Sequence, residues 1–494
     1  MNRTNKERLK SFILTILVIS SLIQVGILWS YQNHGFPISF ISGFFNASAV
    51  NVPVDASGYI KPLRVVVSEG YDGSHWAVYR NRDEYNKLWD EAKSYITDIM
   101  YSSQLQGHVE AFSDNAWGKL VTGRAFIFEF RINVKTDILS LMRGENTVLT
   151  GDFTGVSKII ISPWDDINNN VTIYILDSDS SRIHSYVLPI KPGRMPKDSY
   201  NSIIDKLKRD ASLRSYNVMA EANFIKREDF SINNDVLVVM SDKYRYANIN
   251  SLKCVWPDEF RFKNSISGSE LDNISNSILG SENDSYVPAE DTNYRAYVFK
   301  NIYNTYRVYE DGLLEYKRNT LLNEPGRGSM KDAFRNVIEF INKRKNLIQG
   351  MDIYLSGIRE TKDRNSYEFT FDYVLGDTPL LFKNYESVRK ENVVLNNAIT
   401  IEVAGTGVTS CWWIIKGFEP VKQQGQYDVG FDKFLDWAYK AFKANATPGN
   451  QSLHIRDINL CYKMSSSENN QLLQPVWVIT TTENNIIPVV LDKK

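Results

Sequence analysis

The chain has 494 residues, enough for about three folded units at roughly 150 residues each. Hydrophobic residues make up 43% and charged residues 23%, which excludes a disordered chain, a collagen-like fibre and a disulfide-stapled miniprotein. Lys plus Arg is 57 against 58 for Asp plus Glu, a formal charge of -1, so no basic excess exists to neutralise phosphates and no nucleic-acid partner is expected.

In chain order, Arg3, Lys6, Arg8 and Lys10 form a basic tail over residues 1–10, opposed only by Glu7. No Asp, Glu, Lys or Arg occurs from Ser11 to Val54. The apolar run Phe12 to Trp29, with Ser11, Ser30 and Tyr31 flanking it, predicts a transmembrane helix over 11–31. At about 1.5 Å per residue it spans a hydrocarbon core of about 30 Å. The basic flank places the tail in the cytoplasm and everything after Tyr31 outside the membrane. A cleaved signal peptide is the rival reading. Its Ala47-Ser48-Ala49 site lies too far beyond Trp29, and a retained anchor is favoured. Residues 32–58 read as a juxtamembrane tether.

The exported part reads as α+β, with antiparallel sheets and packed helices in several domains. A first domain, 59–196, opens with Leu63, Val65 and Val67. Tyr85, Leu88, Trp89, Ala92, Tyr95, Ile96 and Ile99 recur at helical spacing and predict a helix from Asp83 to Met100. Phe126, Phe128, Phe130, Ile132 and Val134 alternate with Glu129, Arg131 and Asn133, a half-buried strand. Ile159–Ile161 and Val171–Leu176 read as a strand pair. A middle unit, 197–292, has a helix near Ser199 to Ser212, a strand from Val236 to Met240 and a helix near Ser269 to Leu279. It ends in a polar linker, Ser281 to Thr292.

The region 293–494 carries the best internal pattern. Arg307 to Tyr316 is a hairpin around Asp311-Gly312, because Gly supplies the positive φ of a tight turn. A helix with Ala333, Phe334, Val337, Ile338 and Ile341 on one face precedes strands at 353–355, 367–373 and 399–403. The order recurs with a helix carrying Phe431, Phe434, Leu435, Ala438 and Phe442, then strands at 458–462, 475–480 and 486–491. Two helix-then-sheet halves result.

Chemistry is harder to find. Gly405-Thr406-Gly407 and Gly326-Arg327-Gly328-Ser329 lack the features of phosphate loops and read as turns. Asp166, Asn168, Asn170 and Asp177 approach calcium-loop spacing, but Val171 stands where that loop needs glycine. Cys254, Cys411 and Cys461 are far apart, the five His are single, and no metal or catalytic constellation is spelled out. No catalytic, cofactor or metal residue is assigned. One polar feature remains, inside the span. Ser20, Gln24 and Tyr31 fall within about 40° of each other at 100° per residue, a stripe that suits a partner helix and equally suits a lone anchor that tolerates one Gln among small residues.

These features together resemble the YycH family of two-component-system regulators. The resemblance rests on Glu7-Arg8-Leu9-Lys10-Ser11 with a single span ending at Trp29, the Tyr309-Glu310-Asp311-Gly312 hairpin, and the strand Leu473-Gln474-Pro475-Val476-Trp477. The later domains are also similar to YycI. It covers the span and most of the region after Tyr294, and 59–290 by order of elements. It implies a non-enzymatic, membrane-anchored protein of Gram-positive-type bacteria. Such a protein associates through its transmembrane helix with YycI and the sensor histidine kinase WalK. An anchored cell-envelope enzyme or glycan-binding protein is the alternative. An acidic cleft would favour it, whereas a featureless, repeat-like pair of α+β domains without convergent polar groups would favour the regulator.

Overall fold

The computed structural model describes residues 56–493, apart from 103–104, 106, 143–151, 165–168, 223–228, 257–259, 264–265, 281–285, 320–327, 349, 362–364, 388–392, 406, 446–451, 467–470 and 484. The predicted tail, span and most of the tether lie outside the described residues. No helix among the described residues is long and apolar enough to cross a membrane.

The first sheet has nine strands. In spatial order they are Leu237–Val238, Ser215–Val218, His75–Val78, Arg64–Ser68, Ala125–Lys135, Gly155–Ser162, Asn170–Asp177, Arg182–Pro189 and His108–Ala111. Helix α1, Asp83–Tyr101, begins with two acids that suit the positive end of its dipole. Its apolar stripe buries Tyr85, Leu88, Trp89, Tyr95 and Ile96, and the Trp89 ring meets those of Phe128 and Phe130 at 6.1 and 5.6 Å. The opposite sheet face packs Ile127 and Ile160 with Trp117 and Val121 of α2, Asp114–Val121. Helix α3, Lys197–Arg209, lies on the α1 side, with Tyr200 5.2 Å from the Phe126 ring.

The segment read as a middle unit distributes its other elements over three sheets. Ser215–Val218 and Leu237–Val238 lengthen the first sheet. Phe230–Ile232 runs parallel to Leu453–Ser466, and Tyr246–Val255 pairs with Gly417–Asp428 and Leu472–Leu473. The predicted short helix is α4, Gly268–Leu279, closed by a capping box in which Ser267 and Glu270 satisfy each other's backbone N–H. Part of the predicted linker is a strand: Val287–Asp291 pairs with Ala296–Lys300. It is an edge strand exposed along almost its whole length, so no alternation marks it, and an edge tolerates Pro288.

The remaining strands belong to a fourteen-stranded sheet, eleven along one path and three attached to its side. Its first part runs from Val287–Asp291 through the hairpin Asn304–Tyr309/Leu313–Arg318 to Gly407–Ile414, Ile399–Ala404, Ser366–Leu375 and Asp352–Thr361. Gly312 has φ +87 and closes the hairpin by donating to the Tyr309 carbonyl at 3.0 Å. Helix α5, Met330–Asn342, is capped by Ser329 and packs Phe334 on Phe369 at 5.4 Å. The Leu375–Thr378 turn then leads into Thr378–Glu386, Leu453–Ser466, Pro475–Thr481 and Ile486–Val490, under helix α6, Phe431–Asn445. The architecture is α+β and rich in antiparallel pairs. Two parallel pairings stand among the antiparallel ones, Leu380 with Tyr462 and Leu453 with Phe230.

Candidate functional site

A cleft of about 950 Å³ opens where polar residues of the first sheet meet the later strands. The first wall carries Arg64, Glu129, Arg131 and Lys158. The facing wall carries Tyr354, Asp372, Arg456, Asp457 and Asn459. Arg64 bridges the walls. Its Nε donates to Glu129, its Nη1 to Asn459 Oδ1 at 2.6 Å and its Nη2 to Asp457 Oδ1 at 3.1 Å. Lys158 Nζ lies 3.1 Å from Glu129 and 2.5 Å from Asp235, whose carboxylate also accepts from Trp117 Nε1 at 2.8 Å. Burial opposes the charge on Lys158, but Asp235 and Glu129 outweigh it and raise its pKa. A buried ionic network of this kind costs desolvation and is tolerated only when its members are paired.

Three of the cleft strands are irregular at the cleft itself. Between the pairs Glu129/Lys158 and Val134/Val156, the residues Phe130 to Asn133 stand opposite Ser157 alone. The register shifts between Leu355 and Gly357, where a Cβ on Gly357 would collide with Thr370 Oγ1. It shifts again between Ile455 and Asp457, leaving Arg456 as the extra residue. A bulge re-aims side chains by breaking the two-residue alternation. Ile455 points into an apolar cluster, while Arg456 and Asp457 both line the cleft.

The balance of the cleft follows. Arg64, Arg131, Lys135, Lys158 and Arg456 line the cleft together with Glu129, Asp179, Asp235, Glu360, Asp372 and Asp457, five cations and six acids. Glu129, Asp235 and Asp457 each have a cation within 3.1 Å. Asp372 accepts from Ala398 N and Asn397 Nδ2, both at 2.9 Å, and burial raises its pKa. Arg131 donates to Thr480 Oγ1 at 3.2 Å and stands 3.9 Å from Asp457. Arg456 forms no hydrogen bond or ion pair among the described residues. Burial lowers its pKa, and the nearby Arg131 adds to this against Asp457 and Asp235.

The sequence-based candidates fall elsewhere. Ser20, Gln24 and Tyr31 lie outside the described residues. Asp177 organises a turn, accepting from Thr154 N and Oγ1, Asn133 Nδ2 and Asp179 N. Burial pushes its carboxyl up, but these bonds prevail and hold it at about 2. Cys254, Cys411 and Cys461 are buried free thiols, and burial pushes Cys461 up to about 12. Among the described residues no group of three or more His, Cys, Asp or Glu is placed to hold a metal ion. Ser231 and His454 Nδ1 are 2.7 Å apart at a second hollow, with no carboxylate on the imidazole among the described residues. Sequence reasoning missed the cleft. Its one signal was the polar face Glu129, Arg131 and Asn133, which reads the same whether it meets water or another sheet.

No family model and no curated protein matches this chain. Among solved structures it is similar to YycH from Bacillus subtilis, with a TM-score of 0.53 and 13% identity, covering 87% of this chain and 96% of that one. An uncharacterized protein from Eubacterium rectale is matched with a TM-score of 0.34 and 12% identity, over 60% of this chain and 94% of that one. The chain therefore has a YycH-like fold.

Proposed function

We propose that the protein is a membrane-anchored, non-enzymatic regulator that modulates a cell-envelope sensor histidine kinase of the WalK type, together with a YycI-like protein. The observation that carries this reading is the likeness in fold to YycH across 87% of the chain. The charge-free segment after a basic tail supports an anchor with the later residues outside the cell membrane.

In this reading the polar stripe Ser20, Gln24 and Tyr31 contacts the partner helix. A hydrogen bond from Gln24 inside the membrane is worth about 0.5–2 kcal/mol. Gln24→Leu is therefore expected to reduce kinase recovery about 2- to 30-fold in a quantitative pull-down from solubilised membranes. Membrane insertion should be retained, since lipid tolerates Leu better. Leu22→Ile serves as the matched control and should recover the parent amount. Equal recovery with Gln24→Leu removes the stripe from the interaction. Absence of any histidine kinase from the parent pull-down removes the regulator reading itself.

A further inference from the structure

We propose that the cleft between the first sheet and the Leu453–Ser466 strand is a binding site for an oxyanion, a carboxylate or phosphate group held between Arg131 and Arg456. Three observations converge on it. First, Arg456 reaches the cleft because it is the extra residue of a bulge between Ile455 and Asp457. Without the bulge, strand alternation would send it to the face opposite Asp457. Second, Arg456 has no partner of its own among the described residues. Glu129, Asp235 and Asp457 are taken up by Arg64 and Lys158. Third, the bulge of Phe130 to Asn133 on the opposite wall carries Arg131, whose contacts are Thr480 Oγ1 at 3.2 Å and a distant Asp457 at 3.9 Å.

The chemistry defines the ligand. A guanidinium presents a planar fork of N–H donors that matches a carboxylate or phosphate, and it is weakly hydrated enough to serve in a partly buried site. Two such forks beside each other repel, and a bound anion removes that cost. Burial lowers the pKa of Arg456 and the charge of Arg131 adds to this, against the opposing charges of Asp457 and Asp235. A volume of about 950 Å³ is at the upper end of small-molecule sites, so the anionic group would be carried on a body of disaccharide or short-peptide size. Binding at this cleft is independent of the kinase reading and stands or falls without it.

The test uses the full chain in detergent micelles, with calorimetric titration at constant ionic strength. The probes are glycerol 3-phosphate and succinate, one for each head group. Saturable binding of either probe is expected, weakened at least tenfold in both Arg456→Gln and Arg131→Gln. Lys443→Gln, on the exposed part of α6, should bind as the parent. Arg456→Lys keeps the charge without the fork and should fall between parent and Arg456→Gln. Preference for one probe identifies the group the cleft takes. Circular dichroism of each variant reports folding, and Arg456→Gln should melt no lower than the parent because it removes a cation that forms no hydrogen bond or ion pair among the described residues. Failure of both probes to saturate the parent overturns the proposal. So does parent-like binding by folded Arg456→Gln and Arg131→Gln.

Discussion

A buried carboxylate takes its role from the donors around it. Asp177 is fully enclosed at the end of its strand and receives Thr154, Asn133 and Asp179, so it joins three chain segments. These bonds act on the charged form, which is why the carboxyl sits at about 2 against an ordinary 3.8. With the folded pKa below the unfolded one, the stabilisation is complete above about pH 4 and disappears as pH falls toward 2. Asp177→Asn turns one acceptor into a donor facing other donors and should cost about 1–3 kcal/mol at neutral pH. Urea unfolding of both proteins at pH 7, 4 and 2.5 measures this. The gap between them should narrow at the lowest pH, and a gap independent of pH would remove the charge from the explanation.

Elements that bury one face disclose themselves, and elements that do not stay hidden. Arg64 shows the consequence for the joint between sheets: one guanidinium ties the Arg64–Ser68 strand to Asn459 and Asp457, nearly four hundred positions later. Arg64→Met leaves Glu129 and Asp457 short of a counter-charge and should lower stability by about 3–5 kcal/mol in urea unfolding. Adding Glu129→Gln should cost less than the two single changes summed, because they share one network. Strict additivity would mean the network is not coupled. The helices 83–101, 330–342 and 431–445 were legible because each repeats apolar residues on one stripe, and Ser366–Leu375 because Tyr367, Phe369, Phe371 and Tyr373 alternate. Tyr246–Val255 was not legible. Its buried and exposed positions follow no two-residue rhythm, and its partner Gly417–Asp428 is remote in sequence. The same holds for Arg456, whose orientation depends on register against Pro475–Thr481, a property of two strands rather than of one.

At the scale of the whole molecule, one apolar cluster extends from Ala56 and Tyr59 to Leu473, so the sheets share a core rather than resting side by side. The start of the described chain belongs to it: Tyr59 donates to Asn342 Oδ1 on α5 at 2.6 Å and meets the Phe371 ring edge-on at 6.3 Å. A boundary after residue 196 therefore has a definite physical cost. It removes α3, whose Tyr200, Ile204 and Leu207 are buried, and uncovers the face of the first sheet around Phe126. It also removes Ser215–Val218, Leu237–Val238 and the Asp235 carboxylate that neutralises Lys158. Burying a side chain of this size is worth about 1.5–3 kcal/mol, so the loss of three approaches the whole stability of an ordinary domain. A fragment of residues 56–196 is expected to lack a cooperative melt and near-ultraviolet dichroism, whereas residues 56–240 should regain both. Calorimetry and dichroism on the two fragments decide it. Equal cooperative melting of both would mean that the first sheet needs no cover from α3, and it would support the domain boundary at 196.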